Sequence, residues 1–96
     1  MKTENKNKLS NYKKQFAIIR EELNKVDPLG VINDNLIDEY DLENQYILAK
    51  LKYVQSPIQL AEIIAQIFKK TCNIKTTKEE WIDCAKNILN KINNLL

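Results

Sequence analysis

Carboxylates and two thiols are the side chains able to do chemistry in this 96-residue chain, which has no histidine. Asp34, Asp38, Glu39 and Asp41 lie close together in sequence. Such oxygen-rich clusters suit hard cations such as Ca²⁺ or Mg²⁺. An EF-hand loop needs oxygen ligands at alternate positions, a central glycine and a closing glutamate. Counted from Asp34, the third position is Leu36 and no glycine follows, so the pattern fails and only a weakly held, hydrated ion would fit. Paired carboxylates also perform acid–base catalysis when one is buried with a raised pKa, yet nothing in the sequence demands that burial. Cys72 and Cys84 have no further cysteine and no histidine beside them, whereas a zinc site wants about four N or S ligands. They read as two reduced thiols, with a disulfide as the alternative.

The missing histidine also removes Ser-His-Asp and Cys-His machinery, and Gly30, the only glycine, leaves no loop to cradle a phosphate. The expectation is a protein without catalytic residues, metal or cofactor.

Charge is distributed unevenly. Residues 1–25 carry seven bases and three acids, residues 26–49 six acids and no base, and residues 50–96 eight bases and four acids. An acidic segment between basic ones can steer a basic partner, although acids near a helix start are also favoured by the helix dipole alone. The lysines Lys2, Lys6, Lys8, Lys13 and Lys14 around Tyr12 suggest a second, weaker reading as a nucleic-acid contact. The chain has one arginine, the usual bidentate reader of guanine, so solubilising lysines explain that patch better.

These residues must be positioned by helices. With one glycine and two prolines, the chain lacks the turn residues of an all-β fold. Residues 1–8 read as a frayed polar tail, and residues 9–96 as a single domain. Tyr12, Phe16, Ile19, Leu23 and Val26 make one apolar stripe on a first helix over 10–26, capped by Ser10. Asp27 and Pro28 stop it, and Asp27-Pro28-Leu29-Gly30 matches a type I turn. A short ordered loop follows, with Val31, Ile32, Leu36 and Ile37 tucked against the bundle.

Asp38 is the expected cap of a second helix reaching Tyr53 or Val54, with Leu42, Tyr46, Ile47, Ala49, Leu51 and Val54 on a broad buried face. Ser56, Pro57 and Gln59 open a third helix as cap, first-turn proline and capping-box partner. Thr76 or Thr77, with Glu79 or Glu80, opens a fourth. Its stripe is Trp81, Ala85, Ile88, Ile92 and Leu95, flanked by Ile82, Leu89 and Leu96. The fold class is all-α: a compact four-helix bundle with a structured acidic loop between helices one and two.

The segments Asp27-Pro28-Leu29-Gly30, Asp38-Glu39-Tyr40-Asp41, Ser56 with Leu60-Ala61, and Cys84-Ala85 occur in an order and spacing that resembles the YugE-like family of small helical bacterial proteins. Val26 departs from that pattern, which often has Trp there. The resemblance implies the helical fold and brings no activity with it.

Function is therefore expected to be binding rather than catalysis. The candidate partner-binding residues are Asp34, Asp38, Glu39, Tyr40, Asp41 and Glu43, with Tyr40 as the exposed anchor and Asp27, Pro28 and Gly30 as the structural turn. A concrete form is an immunity protein or antitoxin that covers the basic cleft of a toxin such as a nuclease. The alternative is a small self-associating regulatory or scaffolding protein. No membrane span or secretory signal is legible, which places the chain in the cytoplasm.

Overall fold

The structure, a computed structural model, describes the backbone of residues 2–95 and the side chains of residues 10–95. Four helices pack against one another. They are α1 (Lys2–Val26), α2 (Asp41–Lys50), which tightens into a 3₁₀ turn over Leu51–Tyr53, α3 (Pro57–Cys72) and α4 (Lys78–Asn93). Among the described residues no strand forms, and Asn33 and Leu36 make a lone bridge in the loop before α2.

Local signals set most helix ends. Ser56 Oγ accepts from Gln59 N at 3.2 Å, with Pro57 in the first turn where its missing N–H costs nothing. Gln59 returns its side chain to Gln55 N at 2.7 Å, one residue before the expected capping-box position. Thr77 and Glu80 form the complete reciprocal box that starts α4. Asn73, in the left-handed region at φ 54°, ends α3.

Two boundaries differ from the sequence expectation. Helix α1 begins at Lys2, so Ser10 lies inside it and caps nothing. The side chains of the expected polar tail, including Lys2, Lys6 and Lys8, lie outside the described residues, as does Leu96. Helix α2 begins at Asp41, and Asp38 is not its cap: Asp38 gives only its backbone carbonyl, to Asp41 N at 3.1 Å. Tyr40 occupies the cap position without a side-chain hydrogen bond to the helix, because its side chain is committed elsewhere.

The core is centred on three rings from three elements. Phe68 of α3 stacks on Trp81 of α4 with centroids 4.9 Å apart, and Tyr40 meets Phe68 edge-on at 5.6 Å. Such contacts add to the area each ring removes from water. Trp81 donates its indole N–H to Thr76 Oγ1 at 2.8 Å, so its one polar atom is satisfied in the interior. Ile19, Leu23, Ile47, Leu60, Ile64 and Ile88 fill the space around the rings. The ends of the expected stripes lie outside this core. Tyr12 and Val26 of α1 are exposed, as is Leu95 just after α4.

Helices α1 and α4 are joined by a buried charge. Glu22 is 1 % exposed, and its carboxylate accepts from Lys91 Nζ at 2.7 Å, Lys25 Nζ at 3.0 Å and Asn87 Nδ2 at 3.2 Å. Burial works to raise its pKa, but these hydrogen bonds outweigh it and hold the group below the ordinary 4.5. A carboxylate depressed on folding stabilises the protein fully above its unfolded pKa and ceases to as pH falls through its folded pKa. Urea-unfolding stability is therefore expected to fall as pH drops below about 4.5. Glu22→Gln should make that acid decline shallower. An acid decline of unchanged steepness in Glu22→Gln would show that this network does not set it.

Candidate functional site

The acidic segment is built on Asp27. This residue takes φ 46°, in the left-handed region, directly after α1. Its carbonyl accepts from Gly30 N at 2.9 Å and closes the expected turn, while Gly30 itself sits at φ 67°, where a side chain would be strained. The Asp27 carboxylate then collects three donors: Tyr40 Oη at 2.6 Å, Val31 N at 3.0 Å and Ile32 N at 3.2 Å. The Tyr40 hydrogen bond is the foremost reason its pKa lies below the usual aspartate value; partial burial works the other way and the backbone N–H groups add to the lowering. Tyr40 is shifted upward, first by burial and then by the bond it donates to Asp27, so it stays a neutral donor. Its oxygen also accepts from Leu29 N at 2.9 Å.

Further along, Asn33 and Leu36 exchange backbone hydrogen bonds of 3.2 and 3.0 Å, and Asn33 Oδ1 accepts from Asn35 N at 2.8 Å. Asp34 sits at the tip of that tight turn. Asn24 of α1 donates to Ile37 O at 2.8 Å and ties the returning segment of the loop to the bundle. Val31 and Ile32 pack on the core as expected, and Leu36 is half-buried, but Ile37 is 50 % exposed.

Six residues were expected to face a partner, and the structure divides them. Tyr40 is not an exposed anchor: it is 1 % exposed, with its ring on Phe68 and its hydroxyl on Asp27. Glu43 is also buried, and its Oε2 accepts from the Cys72 thiol at 3.7 Å. Asp41 is held by both Arg20 donors, Nε to Oδ1 at 3.0 Å and Nη2 to Oδ2. Phe16 lies under the same guanidinium, 5.3 Å from its ring centroid. Asp41 therefore secures α2 to α1 and offers little free charge. Asp34, Asp38 and Glu39 remain, all exposed, and Ile37, which lies between them in sequence, is half exposed.

Sequence reasoning missed Arg20, Glu22 and Asn44 as interior partners. Asn44 is fully buried and donates to Phe16 O at 2.9 Å. One signal was available. Tyr40, Asn44, Ile47 and Leu51 recur at steps of 4, 3 and 4, and this is the side of α2 that turns inward. Leu42, Tyr46, Ala49 and Tyr53 repeat the same steps two residues later, and they face outward. The broad buried face expected for α2 is thus two separate stripes, and Leu42, Tyr46 and Ala49 are not core.

Both cysteines are free. Burial pushes the Cys84 thiol up to about 12, with the nearby Glu22 charge adding to the shift, and burial raises Cys72 as well. Neither environment favours a reactive thiolate. Among the described residues no three His, Cys, Asp or Glu side chains are grouped to hold a metal ion, and no helix is long and apolar enough to cross a membrane. No family model matches the chain, and neither curated proteins nor solved structures give a match.

Removing the Tyr40 hydroxyl should cost about 1 to 3 kcal/mol, because it takes one donor from a charged acceptor and leaves Leu29 N–H without its partner. Tyr40→Phe is expected to lower the urea midpoint accordingly, while Glu39→Gln on the exposed surface leaves it within error. Equal midpoints for Tyr40→Phe and the parent would mean that the tie to Asp27 contributes nothing net.

Proposed function

We propose that this chain is a non-catalytic protein-binding module that receives a basic partner on the outer surface of the acidic loop. Asp34, Asp38 and Glu39 provide the charge and Ile37 the apolar contact. The observation that carries this reading is the fixing of the loop by groups that are not themselves available. Asp27, Tyr40 and Asn24 spend their hydrogen bonds on the loop backbone and on one another, while three acids are left facing water. A surface held in shape before contact loses less conformational freedom on binding. Its single sign of charge raises the encounter rate with a basic surface.

No lysine or arginine lies between positions 26 and 49 to neutralise it in sequence. The partner class that suits this surface is a basic protein domain, such as a toxin whose nucleic-acid cleft an immunity protein or antitoxin would cover. Self-association is the second reading, favoured by the outward apolar stripe of α2.

The test is capture of a partner from a native lysate of the source organism by tagged protein, beside the variant Asp34→Lys/Asp38→Lys/Glu39→Lys. Asp41 and Glu43 stay unaltered because they hold the fold. A near-stoichiometric partner should be retained by the parent, depleted at least roughly tenfold in the variant, and released by raised salt. Equal retention by a variant with parental helicity would overturn the role of the acids.

A further inference from the structure

The last turns of α2 and α3 carry lysines that no acid of either helix neutralises. We propose that the groove between these helices binds a small anion with an apolar body, of the aromatic carboxylate class. The groove holds about 450 Å³ and is lined by Tyr46, Ala49 and Lys50 of α2 and by Ile67, Lys70 and Thr71 of α3. That volume is in the range of sites for small organic molecules. Ala49 and Ile67 supply apolar surface, and Tyr46, 49 % exposed, offers a ring on which a flat ligand can stack.

The polar groups of the groove select the sign of the ligand. Lys50 and Lys70 are its only charged residues, one from each wall, and both are exposed. Among the described residues Lys25, Lys78 and Lys91 form ion pairs, and Lys50 and Lys70 do not. The acids of the same two helices are engaged elsewhere. Asp41 is held by Arg20, Glu43 is buried beside the Cys72 thiol, and Glu62, the one acid of α3, pairs with Lys78 at 3.6 Å. Thr71 spends its hydroxyl hydrogen on Ile67 O at 2.9 Å. The donors left to a ligand are therefore two ammonium groups and the Tyr46 hydroxyl, all of which suit an acceptor-rich anionic group.

A cation would be repelled by this pair of lysines, and an uncharged apolar molecule would leave both unused. An aromatic carboxylate uses every feature at once. Its ring lies against Tyr46, Ala49 and Ile67, and its carboxylate is within reach of two flexible ammonium groups whose stems border the same apolar surface. Low-dielectric walls strengthen the attraction relative to open water.

This inference stands apart from the acidic-loop reading, and its test leaves Asp34, Asp38 and Glu39 in place. The full chain is titrated with naphthoate, and separately with the uncharged naphthamide of the same shape, while backbone amide NMR shifts are followed. Naphthoate should give saturable shifts centred on the six lining residues, and naphthamide should bind at least roughly tenfold more weakly, for want of the charge-assisted contacts. Lys50→Gln/Lys70→Gln should lose a similar factor while far-UV helicity and urea midpoint stay at parental values, because both positions are exposed. Ala49→Phe fills the groove with the lysines intact and should also abolish the shifts. Absence of saturable shifts with naphthoate up to about 10 mM overturns the inference. Equal binding of naphthamide overturns the anion requirement, and shifts centred elsewhere overturn the site. A glutamate-rich peptide that shifts the lining residues where naphthoate does not would overturn it too, by giving the groove to a protein.

Discussion

The hydroxyl of Tyr40 and the carboxylate of Asp27 each answer a need of the other. A tyrosine ring sunk between helices has a polar atom to satisfy, and a carboxylate that ends a helix has charge to disperse. Their 2.6 Å hydrogen bond does both, and it sets the geometry on either side. On the Asp27 side it leaves room on the carboxylate for Val31 N and Ile32 N, so the chain turns immediately after α1. On the Tyr40 side it holds the ring edge-on to Phe68, which in turn stacks on Trp81. The loop, α3 and α4 are thereby connected through one side chain. Helix α2 starts only after Tyr40, whose side chain is on Asp27 and makes no cap hydrogen bond to the helix.

What could be read in the sequence was local. Ser56 with Pro57, Thr77 with Glu80, and Asp27-Pro28 with Gly30 act on backbone within four residues of themselves, and each does so here. Helix identity was legible for the same reason, since apolar spacing in α3 and α4 is strong and unbroken. The candidate site was legible in part. Its acidity was plain, but which acids face water depends on residues distant in sequence. Arg20 takes Asp41 out of play, and burial beside Cys72 removes Glu43. Glu22 and Asn44 read as surface residues by type, and only contacts with Lys91 and with Phe16 O explain why they lie inside. Polar residues on an inward face are misjudged when type is weighed above position.

Helix α2 shows how a short element can serve two surfaces. Its two stripes are offset by two residues, which is somewhat more than half a turn, so they occupy opposite sides of the cylinder. Neither stripe competes with the other, and the polar residues between them, such as Gln45 and Lys50, remain exposed. The inward stripe includes Asn44, whose amide N–H reaches Phe16 O while its Oδ1 is buried without a partner. In a chain this small, holding apolar residues on the outside of a ten-residue helix works against solubility unless something covers them.

Trp81 is the chain's only tryptophan, and it is fully buried against Phe68 with its indole N–H on Thr76. The protein therefore contains a native optical probe at the point where its elements meet. Emission from this indole is that of a ring shielded from water, and Tyr40, one ring away through Phe68, is placed to pass excitation to it. Undocking the acidic loop would draw Tyr40 away and diminish that transfer before the indole itself met solvent. Loop release and global unfolding thus carry different spectral signatures in an unlabelled molecule.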